Sequence, residues 1–93
     1  MKFLTTFKII KGFDRWLKLI DDLQPYMEKY EYKMMFACTN DDETRVYDFG
    51  EANNADLAAE MLSNQEVVNM RKEAGVDLES QEILSTISKH KIW

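Results

Sequence analysis

Hydrophobic residues at the start of the chain occupy both alternating sets of positions in Phe3-Leu4-Thr5-Thr6-Phe7-Lys8-Ile9-Ile10, the pattern of a strand buried on two faces. Phe3, Thr5, Phe7 and Ile9 point one way and Leu4, Thr6 and Ile10 the other, with Lys8 the only charge inside the run. Such a strand belongs in the middle of a sheet. Lys11-Gly12 is a turn signal. Phe13, Trp16, Leu17, Ile20 and Leu23 then recur at helical spacing opposite Asp14, Arg15, Lys18, Asp21 and Asp22, which predicts an amphipathic helix of about three turns. Pro25 disfavours helical geometry at Gln24 but suits the first turn of a new segment, so Pro25 to Tyr30 reads as a kinked continuation.

A second two-faced run spans Tyr32 to Thr39, with Met34, Phe36 and Cys38 opposite Met35 and Ala37. The polar Asn40-Asp41-Asp42-Glu43 follows, and Arg45 to Phe49 resumes strand character until Gly50, so the two runs predict a hairpin with a charged tip. Arg45, Tyr47 and Phe49 share one face of that strand and Val46 and Asp48 the other. Asn53 or Asn54 is placed to cap a helix whose apolar stripe is Leu57, Ala58, Met61 and Leu62. Ser63-Asn64 interrupts it, a short helix from Gln65 to Ala74 carries Val67, Val68 and Met70, and Gly75 supplies the left-handed stop. Glu82 to Trp93 alternates Ile83, Ser85 and Ile87 against Leu84, Thr86 and Ser88, a long final strand.

The order strand, helix, strand, strand, helix, strand is that of two split βαβ units, which predicts one ferredoxin-like α+β domain over residues 1–93. Its antiparallel four-stranded sheet has the first and third strands in the middle and the helices on one face. The other face remains too apolar to leave in water, so a homodimer is expected, with Ile92 and Trp93 packing on the partner subunit or over the barrel rim.

Charge narrows the partners. A net charge of -5 and a pI near 4.8 exclude a partner held mainly through phosphates, so neither nucleic acid nor an anionic membrane is expected. No stretch approaches the ~18 apolar residues of a membrane span, and the run after Lys2 is cut short by Lys8 and Lys11, unlike a secretory signal. Cys38 is alone inside an apolar run and reads as a small core residue in a reducing, cytoplasmic setting.

Candidate chemistry is sparse. Asn40-Asp41-Asp42-Glu43 offers oxygens suited to Ca²⁺ or Mg²⁺ but lacks the spacing and glycine of an EF-hand loop, and reads as a solvated hairpin tip. One His and one Cys leave no transition-metal site made within one subunit, and no metal or other cofactor is expected. The three glycines are far apart, so no phosphate loop forms, and no Ser or Cys sits in a nucleophile motif. His90 is the one side chain that titrates near neutral pH without a perturbed environment, although between Lys89 and Lys91 it also reads as an ordinary polar strand residue. A buried Asp48 or Arg45 needs a partner, supplied by a ligand, by the other subunit or, as the ordinary arrangement, by a cross-strand ion pair. Met34, Met35, Met61 and Met70 would normally be core, yet with Trp16, Phe36 and Tyr47 they offer more flexible apolar lining than a compact core needs. The candidate binding set is therefore Trp16, Phe36, Arg45, Tyr47, Met61 and His90, for a small hydrophobic, fatty-acid-like molecule whose polar head meets His90 or Arg45.

Several segments resemble the dimeric α+β-barrel superfamily, in which two ferredoxin-like subunits set their bare sheet faces together. They are the strand ending in Lys11-Gly12-Phe13, the Trp16-bearing helix, and Leu62-Ser63-Asn64-Gln65-Glu66 leading through Met70-Arg71-Lys72 to Ala74-Gly75-Val76. Phe7-Lys8, Asn40-Asp41-Asp42 and Ala74-Gly75-Val76-Asp77 are similar, more closely, to a family of small, functionally uncharacterised proteins of marine cyanobacteria and environmental sequences. The resemblance implies a barrel-type dimer. Among the superfamily's activities are cofactor-free monooxygenation, lactone isomerisation and haem degradation, but the Asn, Trp and His order of the haem-degrading members is not reproduced by Trp16 and His90, so no catalytic residue carries over. Two functions follow as expectations: a dimeric binder of a small hydrophobic molecule, and a cofactor-independent monooxygenase- or isomerase-like enzyme on a lipophilic or aromatic substrate. A cavity with a polar group within reach of His90, Tyr47 or Asp48 favours the enzyme, and a purely apolar cavity favours the binder.

Overall fold

The computed structural model describes residues 1–93 and contains β1 (Lys2–Ile9), α1 (Phe13–Asp22), α2 (Gln24–Lys29), β2 (Tyr32–Thr39), β3 (Arg45–Ala52), α3 (Ala55–Ser63), α4 (Gln65–Glu73) and β4 (Val76–Ile87). The strands form one sheet in the order β2-β3-β1-β4, and every neighbouring pair is antiparallel. This is the expected ferredoxin-like α+β fold, with β1 and β3 in the middle. Each predicted helix is a helix pair. Pro25 opens α2, and Asn64 ends α3 while capping α4, its side-chain oxygen accepting from Glu66 N at 2.9 Å and Val67 N at 3.3 Å. Asn54 caps α3 in the same way through Asp56 N and Leu57 N. Gly75, at φ +86°, turns the chain from α4 into β4.

The core lies between helices and sheet. Trp16 is its centre, with ring centroids 5.9 Å from Phe7 and 5.6 Å from Phe13, and Ile9, Leu19, Val46 and Val67 close around it. The hairpin tip does more than face solvent. Asn40 Oδ1 accepts from Thr44 N and Arg45 N, holding the turn, and Glu43 reaches across to accept from Phe13 N at 2.8 Å at the start of α1. A carboxylate there meets the positive end of the helix dipole.

The structure departs from the sequence pattern in three places. A register shift between Met34 and Phe36 moves the second half of β2 to the other phase. Met34 then pairs with Gly50 on the helix-covered face beside Ala37, opposite Asp48, while Phe36 and Cys38 turn to the open face. Strand β3 continues through Gly50 to Ala52 instead of ending there, because Gly50 and Glu51 pair with both neighbouring strands and Ala52 with Tyr32; Gly50 is a glycine because the Tyr32 ring lies across it. Strand β4 begins at Val76, inside a segment too polar to read as strand, and ends at Ile87, so Ser88–Trp93 is not strand. No helix of the chain is long and apolar enough to cross a membrane.

The open face has an apolar centre and a charged rim. Phe36, Phe49 and Leu4 stand in one row across the sheet and Cys38, Tyr47 and Thr6 in the next. Lys8, Arg45, Lys33, Glu51, Lys2 and Glu82 surround them. After β4 the tail folds back so that the His90 ring packs edge-on against Phe49 at 4.8 Å, whereas Trp93 is 98% exposed.

Gly50 gives a direct test of the inner face. A Cβ there would lie 1.8 Å from the Tyr32 hydroxyl oxygen, so Gly50→Ala should cost about 1–3 kcal/mol in urea unfolding. Combining it with Tyr32→Ala should recover part of that loss, because the two changes share one contact. Additive costs would show that Tyr32 is not the obstacle.

Candidate functional site

A cavity of about 310 Å³ opens between the helices and the sheet. It lies at the small end of the ~300–1,000 Å³ range of ligand clefts, so a short chain or small ring system fits better than a long acyl chain. Its walls are hydrophobic at 17 of 21 lining residues, including Trp16 and Leu19 of α1, Leu23 at the junction of α1 and α2, Met27 of α2 and Met61 of α3. Ala55, Ala58 and Ala59 of α3 border the opening with small side chains, where larger ones would narrow it. Leu62 and Ile83, 39% and 58% exposed, mark the mouth.

The other four lining residues are Thr5, Asp48, Arg71 and Gln81, and Tyr32 adds a hydroxyl to this polar group. Asp48 is 5% exposed, and its one hydrogen bond comes from the hydroxyl of Thr5, its cross-strand neighbour. Burial pushes its carboxyl above the usual carboxylate range, while the Thr5 hydrogen bond and the Arg71 charge pull the other way. Burial, with the Asp48 charge second, pushes the Tyr32 phenol up as well. Arg71 is 9% exposed, lies 5.5 Å over the Phe7 ring and donates to the Gln81 side-chain oxygen. Burial lowers its guanidinium from the ordinary value, against the supporting charges of Asp48 and Tyr32. No Arg71 nitrogen comes within 4.0 Å of the Asp48 carboxylate, since the one salt bridge in the chain is the exposed pair Lys18–Asp22.

The sequence-derived candidates divide between the two faces of the sheet. Trp16 and Met61 line the cavity. Phe36, Arg45 and Tyr47 stand on the open face, Phe36 half-exposed because of the β2 register shift and Arg45 hydrogen-bonded to the Thr6 hydroxyl at 3.2 Å. His90 joins them there on Phe49. The sheet therefore separates His90 and Arg45 from the cavity. Neither Asp48 nor Arg45 makes a cross-strand ion pair: Asp48 accepts from the Thr5 hydroxyl and Arg45 donates to that of Thr6. Tyr32, Arg71 and Gln81 were not legible as site residues, although Arg71 follows Val67 by one helical turn and so falls on the buried side of α4. No three His, Cys, Asp or Glu side chains converge anywhere in the chain.

The raised Asp48 predicts a pH dependence. The folded state holds this proton more tightly than the unfolded chain, so stability is lost as pH rises from the unfolded carboxylate value of about 3.9 through the raised folded value. Melting curves of Asp48→Asn should lack that descending contribution and show a Tm no lower than wild type at neutral pH. A mutant that melts lower at neutral pH and keeps the same pH slope would show that Asp48 is ionised without cost.

No protein-family model and no curated protein matches the chain. Among solved structures it is similar to a structural-genomics protein designated YjcS, with TM-score 0.60 and 16% identity over 94% of this chain and 98% of that one. Protein Atu4242 from Agrobacterium tumefaciens gives 0.59 and 9%, covering 91% and 92%. RPA0582 from Rhodopseudomonas palustris, a protein of unknown function, gives 0.60 and 12%, covering 96% and 84%. At these identities the likeness is one of fold: the chain shares their ferredoxin-like α+β architecture.

Proposed function

We propose that this protein binds a small, mainly apolar molecule carrying one oxygen-containing group in the cavity between helices and sheet, and that it does so as a homodimer paired through the open sheet faces. One observation carries the reading: a cavity with hydrophobic walls on which Asp48, Tyr32, Arg71 and Gln81 are grouped. That is the composition of a ligand cleft, where apolar area supplies affinity and a few polar groups set orientation. The fatty-acid-like ligand inferred from composition becomes a shorter or cyclic molecule, because the cavity is small. The dimer is supported by the apolar centre and charged rim around Phe36, Tyr47 and Phe49, the anatomy of a protein interface.

A second reading, cofactor-independent catalysis of the monooxygenase or isomerase kind, is favoured by the presence of Asp48 in the cavity. A carboxyl raised by burial and placed where a ligand would sit is suited to acid–base work. Carbon-bound hydrogen exchange of carbonyl probes in D₂O, followed by NMR, would separate the readings. Catalysed exchange that falls about 10²–10⁴-fold in Asp48→Asn supports the enzyme; binding without exchange leaves the binder.

Two measurements test the main proposal. In a thermal-shift screen of small aromatic and short-chain compounds, a ligand at 100 times its Kd adds about 2.7 kcal/mol, and each kcal/mol raises Tm by about 4–8 °C at this chain length. Ala58→Trp, which fills the cavity from α3, should abolish the shift while the protein stays folded. No shift with any compound, and no molecule co-purifying in native mass spectrometry, would overturn the binding proposal. Sedimentation equilibrium should give twice the 11.0 kDa chain mass, and a clean monomer would overturn the dimer.

A further inference from the structure

The cavity holds a cation that no protein anion pairs with. Arg71 is buried to 9% exposure on α4, and its hydrogen bond goes to a neutral amide oxygen, Gln81 Oε1. The other guanidinium N–H groups have no protein acceptor, and the residue lines the cavity. Asp48 is near enough to influence Arg71 electrostatically yet makes no ion pair with it. The unused guanidinium donors are not sealed in the core, since the one buried side-chain nitrogen without a partner is Arg15 Nη1, so they open onto the cavity, where a ligand acceptor can reach them. The planar fork of Arg71 is the protein's best match for a carboxylate.

We propose that Arg71 is the recognition residue of this cavity, and that with Gln81 orienting its guanidinium it selects a small apolar monocarboxylate, an aryl or short branched acid, over neutral molecules of the same shape. This rests on the cavity being a ligand site. The guanidinium carbon lies 5.5 Å from the Phe7 ring centroid, and both residues line the cavity, so a carboxylate in the cavity would be within reach of the fork. The apolar remainder of such an acid would lie against Trp16, Leu23 and Met61.

Charge arithmetic adds a proton. A carboxylate beside Arg71 would place two anions, its own and that of Asp48, around one cation in an apolar cavity, and the cheapest relief is to protonate Asp48. The groups facing Asp48 allow this. Thr5 and Gln81 are neutral, Tyr32 is an un-ionised phenol, and the lining residues of α1, α2 and α3 carry no charge. Met1 also lines the cavity, and its ammonium donates to the Ala52 carbonyl at 2.8 Å. Binding of the acid therefore takes up a proton, and affinity falls as pH rises through the Asp48 titration.

Isothermal titration with 3-phenylpropanoate and its primary amide, same shape and different charge, decides the matter. The acid should bind wild type about tenfold to hundredfold tighter than the amide, the range of a charge-assisted contact. Arg71→Gln should erase that preference, bringing the acid and the amide to within about twofold of each other. Titrations in buffers of different ionisation heat should show proton uptake that Asp48→Asn removes. Amide binding as well as the acid in wild type, a comparison that needs no variant, would overturn the anion site and leave the cavity reading standing. A preference for the acid without proton uptake would overturn the role of Asp48. If neither compound binds and the wider screen also fails, the cavity reading falls and this inference with it.

Discussion

The register between the two central strands is the constraint on which the rest of the molecule depends. Phe7 lies opposite Val46, Thr5 opposite Asp48 and Phe3 opposite Gly50. One residue of slip would carry every one of these side chains to the other face. The pairing gives the core its hydrophobic end at Phe7 and Val46, gives Asp48 its hydroxyl partner, and leaves a bare backbone at Gly50 for Tyr32 to cross. The cavity is what remains above the middle of this ladder, where α3 contributes alanines.

A domain of this size has little stability to spare. Replacing Asp48 and Arg71 with apolar residues of similar volume would be expected to cost nothing or to stabilise, because buried charges rarely recover their desolvation. Here the two are not even in contact, so neither recovers it through a close ion pair. Core packing does not require them. Their presence at an opening in an otherwise hydrophobic layer is the kind of local conflict that marks function.

Legibility followed periodicity. Helical spacing around Trp16, the asparagine caps and Gly75 identified the helices, and alternation identified β1, the start of β2 and β3, which together fix the ferredoxin-like fold. What failed was phase. The β2 register shift is not encoded by alternation, so Phe36 was grouped with Met34 and assigned to the wrong neighbours. The first half of β4, with Asp77, Glu79 and Gln81, reads as loop because an edge strand needs few apolar positions. Consequently Gln81 was missed, and with it the contact to Arg71. Asp48 is legible as a charge sharing a face of β3 with Val46, but whether that face turns inward, and which groups meet it, depends on α4 folding over the sheet, a long-range fact that local spacing does not contain.

The two faces of β3 tie the proposed dimer to the proposed ligand site. Val46, Asp48, Gly50 and Ala52 point into the helix layer, and Arg45, Tyr47, Phe49 and Glu51 point to the open face. A subunit packed on Tyr47 and Phe49 would hold the backbone that carries Asp48 between them, and would remove water from the far side of the cavity floor. Lower local dielectric strengthens both the pull of Arg71 on an anion and the preference of Asp48 for its acid form. Pairing of the open faces and selectivity in the cavity are thus expected to rise together, since a strand packed on both sides has no freedom to relax around an ill-matched ligand.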